Sequence, residues 1–197
     1  MGTSGSEGGQ RKPTRCKPCR APLADPYTYV WTTAGFCYVS FITDVYSQAI
    51  LGWRVSTNKG TALVQSALEQ ALFTRQRTRF EFTAQGLLHH SDTGSEYTSL
   101  AFTEALAEAG ITSSIGSVGD ALDNALMEST VGLYKTEVID HERPSWSSWR
   151  QVEAATAQWV HWYNHERLHS SIEDLPPEEF EQIYYDKNRR LSEPAAA

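Results

Sequence analysis

The stretch YTYVWTTAGFCYVSFITDVYSQAILGWRVS, residues 27–56, leaves the chain little choice of fold. Three runs, Tyr27–Thr33, Phe36–Thr43 and Ala49–Ser56, are dense in β-branched and aromatic residues, which favour strands. Only Ala34-Gly35 and Asp44–Gln48 separate them. Connections that short join antiparallel neighbours, because a parallel crossover needs a dozen residues or more. The stretch therefore reads as a three-stranded meander, with Cys37 in its core and Asp44 opening the second turn, a position that suits aspartate.

Beyond residue 60 the period changes. Leu63, Val64, Ala67, Leu68, Ala71 and Leu72 recur at helical spacing from Thr61 onward. Leu87–His90 is a short strand, Thr98 caps a helix running through Glu108, and Gly110 ends it. Ile111–Ile115 is another strand, GSVGDAL a loop, and Asp123 to about Val138 a helix. A further helix from Trp149 to His165 buries Val152, Ala155, Trp159, Val160 and Tyr163, and Pro176-Pro177 starts a last one. Strand–helix–strand crossovers make the later strands parallel to the first. The expected class is α/β: a mixed five-stranded sheet, three antiparallel strands then two parallel, with helices on both faces.

A chain of 197 residues, 40% apolar, supports one substantial core. No apolar run approaches the roughly 20 residues of a membrane span and no signal peptide is evident, so a cytosolic protein is expected. The net charge of −7 conceals a basic leader carrying Arg11, Lys12, Arg15, Lys17 and Arg20. Residues 1–22 are expected to be a disordered arm, residues 23–185 the folded core and residues 186–197 a tail. The body is acidic, so nucleic acid would have to be engaged through local cations. Cys16 and Cys19 have zinc-knuckle spacing but no second ligand pair, and a metal role is not expected there.

The chemistry-bearing residues are carboxylates. Asp92, in HHSDTGSEYTS, follows a short central strand, where open α/β sheets hold their ligands. Thirty-five residues lie between it and Glu128, which shares a helical stripe with Asn124, Val131 and Lys135. An amide, a carboxylate and a lysine on one stripe suit a face that looks across a cleft at a metal and a phosphate. His89 and His90 read instead as one core-facing and one polar-facing strand residue, Arg75, Arg77 and Arg79 as a solvated stretch, and the tryptophans from Trp146 to Trp162 mostly as packing.

Three motifs, HSDTGSEYTS, GSVGDALDNALMESTVGLYKTEV and WVHWYNHERLHSSIEDLPPEEF, resemble in order and spacing the core of bacterial insertion-sequence transposases. These are DDE-class enzymes that share a ribonuclease-H-like fold with retroviral integrases. The resemblance runs from about Tyr27 to Tyr185. It implies that Asp92 and Glu128 are catalytic metal ligands, that Lys135 contacts DNA, and that Asn124, Asn164 and Arg167 belong to the DNA-binding set, with Trp162, Tyr163 and His169 in the same tail motif. It further implies cleavage and strand transfer at transposon ends with Mg²⁺ or Mn²⁺, DNA as partner, and a homodimer or larger assembly. Two hard cations roughly 3.5–4 Å apart need few oxygen ligands, so carboxylates suffice.

One departure stands out. The family's first aspartate lies two residues before a Thr-Tyr pair; here that pair is Thr28-Tyr29 and the position holds Pro26. Asp25 is the nearest candidate for the third catalytic and metal ligand, but a one-residue slip turns a strand side chain to the other face. Either a bulge recovers Asp25 or the site is incomplete, with Asp44 as the substitute to consider. No helix-turn-helix fits in the leader, so the chain is expected to be a fragment, an isolated domain or a decayed copy. The rival reading is a catalytically inactive integrase-fold module for DNA binding or assembly.

Overall fold

The computed structural model describes residues 23–25, 27–78, 82–91, 100–115, 120–141 and 145–192. Strand β3 (Gly35–Asp44) organises the sheet. On one edge it pairs antiparallel with β4 (Ile50–Ser56); on the other it pairs with β1 (Leu23–Asp25) and β2 (Tyr27–Thr32). β1 continues the sheet through parallel pairing to β5 (Leu88–Ser91), and β5 pairs in parallel with β6 (Thr112–Ile115). The antiparallel meander and the parallel pair expected from the sequence are both present. The addition is β1, three residues that are too short to show an alternating pattern.

β1 and β2 follow one ladder. Ala24 opposes Thr43 and Tyr27 opposes Ser40 on the same edge of β3. Across the sheet, β4 carries an inserted residue, where Ile42 opposes Gly52 but Thr43 opposes Ile50. Leu51 is extra, and this bulge divides β4 between two cores. Ile50 and Val55 join Phe41, Val39 and Val30 on one face, while Leu51 joins Ile42 on the other.

Helix α1 (Thr61–Thr78) and helix α2 (Leu100–Glu108) cover the Leu51 face through Val64, Leu68, Phe102 and Leu106. Gly52 lets α1 approach, because a Cβ there would stand 2.1 Å from the Ala67 carbonyl oxygen. The opposite face is covered by α3 (Asp120–Tyr134), which passes into a π turn at Lys135–Ile139, and by α4 (Trp149–His165). Phe41, Tyr134 and Trp159 pack edge-on there, with ring centroids 5.0–5.8 Å apart. α4 buries Thr156 where Ala155 was expected, because the Thr156 hydroxyl meets Tyr134 at 2.8 Å. The last helix, α5 (Pro177–Ser192), starts at the proline pair as expected.

Candidate active site on the sheet and helix α3

Parallel pairing aligns Leu23 with His89, Ala24 with His90 and Asp25 with Ser91. The C-terminal ends of β1 and β5 therefore lie side by side, the usual ligand position in such sheets. Asp92, the residue after Ser91, lies outside the described residues, as do Pro26, the Cys16/Cys19 pair, Thr98 and Arg79. Asp25 and Asn124 are described as members of β1 and α3 through their backbone only.

α3 packs against β1 and carries Glu128. Glu128 is exposed and, among the described residues, has no hydrogen-bond or ion-pair partner. Lys135 is likewise exposed, at the start of the π turn two helical turns farther on. A carboxylate held on a packed helix without a competing cation fits a hard divalent ion, as does an aspartate just beyond β5. Of Asp25 only the backbone in β1 is described, beside Ser91 of β5. Tyr27 packs with the α1 cluster, whereas Val30 lies in the cluster beneath α3 and α4. Among the described residues no three His, Cys, Asp or Glu side chains are grouped to hold a metal.

Asp44 is unavailable as a substitute. Its Oδ1 accepts from the Tyr46 and Ser47 amides at 2.8 and 2.9 Å, the turn role expected from sequence. Its Oδ2 accepts from Arg75 at 2.6 Å. Arg75 corrects the sequence reading: it is buried between Asp44 and Glu181 of α5, not solvated, although Arg77 is exposed. The signal was present, since Arg75 continues the buried stripe of Val64, Leu68 and Ala71. Burial raises the Asp44 carboxyl above its ordinary pKa despite the adjacent guanidinium. His89 is core-facing as expected, its ring 5.3 Å from Phe102.

The tail motif is engaged with the protein itself. Asn164 accepts from the Ile50 amide at 2.9 Å and donates to the Ile50 carbonyl at 2.8 Å, beside the β4 bulge. Arg167 donates to Glu137 in the π turn at 2.9 Å, and Glu137 also accepts from the Trp159 indole at 2.8 Å. Tyr163 is buried, and burial pushes its hydroxyl up to about 12. His169 packs against the Tyr163 ring at 4.5 Å, and burial with Arg167 nearby lowers its pKa to about 4.

Comparison with known proteins agrees with this geometry. The integrase core domain family matches residues 24–121 and again residues 109–177. The chain is 50% identical over 173 residues to the protein named as transposase for insertion sequence element IS986/IS6110 of Mycobacterium tuberculosis (strain CDC 1551 / Oshkosh), covering 88% of this chain and 61% of that one. It is 48% identical over 169 residues to the transposase for insertion sequence element IS629 of Shigella sonnei, covering 86% and 54%. It thus spans little more than half the length of these relatives. Among solved structures, the HTLV-2 integrase catalytic core domain in complex with magnesium, in a dimeric form, superposes with a TM-score of 0.58 at 13% identity, covering 85% of this chain and 99% of that one. That likeness is one of fold, ribonuclease-H-like. No described helix is long and apolar enough to cross a membrane. The chain belongs to the integrase core family, among the insertion-sequence transposases.

Proposed function

We propose that this chain is the catalytic core of a transposase that cleaves DNA at transposon ends and joins them to target DNA, with Asp92 and Glu128 holding Mg²⁺, or Mn²⁺ in its place. The observation that carries the reading is α3 packed on β1, whose parallel partner β5 leads to Asp92, with Glu128 exposed on that helix and without a partner among the described residues. A bound divalent ion supplies Lewis acidity for the attacking and leaving oxygens. The protein's share is to position: Glu128 from α3, Asp92 from the end of β5, and Lys135 and Asn124 along the same stripe of α3, where they meet phosphate. Asn164 and Arg167, occupied with Ile50 and Glu137, serve DNA indirectly. The working form is a homodimer or larger assembly on DNA in the bacterial cytosol.

Activity of this chain is proposed to be impaired. The sequence supports that view, because Pro26 stands where the family's first aspartate is expected and a one-residue slip turns a strand side chain to the other face. The same observation favours the second reading, an inactive integrase-fold module for DNA binding or assembly. Calorimetric Mn²⁺ titration of the wild type, Asp92→Asn and Glu128→Gln tests the site. Binding weakened about tenfold or more in each variant supports it; equal affinity in all three overturns it. Strand transfer of a pre-cut end by the same proteins separates the two readings.

A further inference from the structure

Helices α3 and α4 are locked by a reciprocal pair of bonds. Tyr134 of α3 and Thr156 of α4 share a hydrogen bond of 2.8 Å. Tyr163 of α4 and Thr130 of α3 share the converse one. Both threonines are buried and both also donate to the carbonyl one turn earlier, Thr130 to Leu126 at 2.9 Å and Thr156 to Val152 at 2.7 Å. Their hydroxyls are thereby oriented before the tyrosines reach them. A third tie lies farther along, where Glu137 takes Arg167 on one carboxylate oxygen and Trp159 on the other. A fourth fixes α4 to the sheet, through both amide groups of Asn164 on Ile50.

The ties stand at informative places. Thr130 is two residues from Glu128, and Glu137 is two residues from Lys135. Between them the helix changes pitch into the π turn closed by the Asp140 amide on the Lys135 carbonyl at 2.8 Å. A π turn lacks the regular ladder that holds an α-helical end, so external bonds must set its direction. Glu137 supplies them from within the turn.

Resting on the site proposed above, we infer that Tyr163, Glu137 and Arg167 are positioning residues, which set the rotation of α3 on the sheet and so the placement of Glu128 and Lys135. Asn164 anchors the clamp to β4. The tail motif that resembles a DNA-contacting segment thus acts on the site from behind, through α3, and Trp162, partly exposed beside Tyr163, is the ring of the motif left facing solvent.

Double-mutant cycles on the full chain test this. Tyr163→Phe and Thr130→Val each delete the Tyr163–Thr130 tie while keeping shape; Arg167→Ala and Glu137→Ala each remove the Glu137–Arg167 tie. Mn²⁺ affinity is expected to fall about tenfold in each single variant and no further in each double. Hydrogen exchange is expected to quicken selectively at amides of α3 and the π turn. Leu68→Ala, in the α1 core, serves as the control for general destabilisation and is expected to leave Mn²⁺ affinity near wild type while its exchange changes spread over α1. Additive losses within the pairs, or exchange changes spread over α1 as in the control, overturn the clamp. If the wild type binds no Mn²⁺, the proposed site fails, and the selectivity of exchange around Glu128 alone decides the clamp.

Discussion

Arg75 Nη2 lies 2.6 Å from Asp44 Oδ2 with both side chains buried, and the same guanidinium also donates to Glu181 on α5. One cation thus serves two carboxylates from distant parts of the chain. Arg75→Ala removes the buried cation that both carboxylates share and is expected to cost about 3–5 kcal/mol in urea unfolding at pH 7. Arg77→Ala, exposed on the same helix, is expected to stay within about 0.5 kcal/mol. Similar midpoints for the two variants would refute the assignment of Arg75 as a structural ion.

Gly52 sits where β4 meets α1, and a methyl group there would collide with backbone, not with a movable side chain. Gly52→Ala is expected to destabilise by about 3 kcal/mol or more. Gly132→Ala, in α3 with open space at the Cβ, is expected to gain about 0.5–1 kcal/mol from helix propensity. Thermal melting distinguishes a crowded contact from a general intolerance of glycine replacement.

His169 has a folded-state pKa of about 4 against an ordinary value of 6.5. The unfolded chain binds its proton more readily, so its contribution to stability is complete above about pH 6.5 and is lost as the pH falls toward 4. Asp44, raised by burial, acts in the opposite sense over acidic pH, so the comparison is made by difference. His169→Phe is expected to flatten the stability curve between pH 6.5 and 4. An unchanged slope in that window would show that His169 titrates alike in both states.

Deleting Pro26 moves Asp25 to the position two before Thr28-Tyr29. If β2 keeps its partners on β3, position 25 then alternates onto the face of α3. Strand transfer of a pre-cut end, at high DNA concentration with Mn²⁺, is expected to be weak in the wild type and higher in the deletion variant by an order of magnitude or more, roughly what recovering a ligand in a two-metal reaction contributes. Robust wild-type activity abolished by Asp25→Asn would mean that Asp25 already serves.

DNA binding by an acidic body with few local cations is expected to be weak and steeply dependent on salt. Lys135→Ala is expected to weaken it for all sequences and to lower the salt slope by about one unit. Gel shifts over a salt series measure both. Tight, salt-insensitive binding would point to a recognition element elsewhere on the chain.

The sequence by itself determined what depends on neighbours along the chain. The meander of β2, β3 and β4 was legible because short connections and strand-forming residues allow no other pairing, and α1 and α4 because their apolar residues repeat every turn. The spacing of Asp92 and Glu128 and the order of three motifs carried the family. Tertiary structure decided the fate of each polar side chain. Arg75, Asn164 and Arg167 look alike in sequence as surface groups, yet each is committed to a partner 30 to 114 residues away. A helix stripe reveals which face is buried, but whether an arginine there is tolerated depends on carboxylates that folding brings from other elements. The β4 bulge and the pairing of β1 between β3 and β5 are likewise set by cross-strand contacts, a relation between distant segments that periodicity within any one of them does not encode.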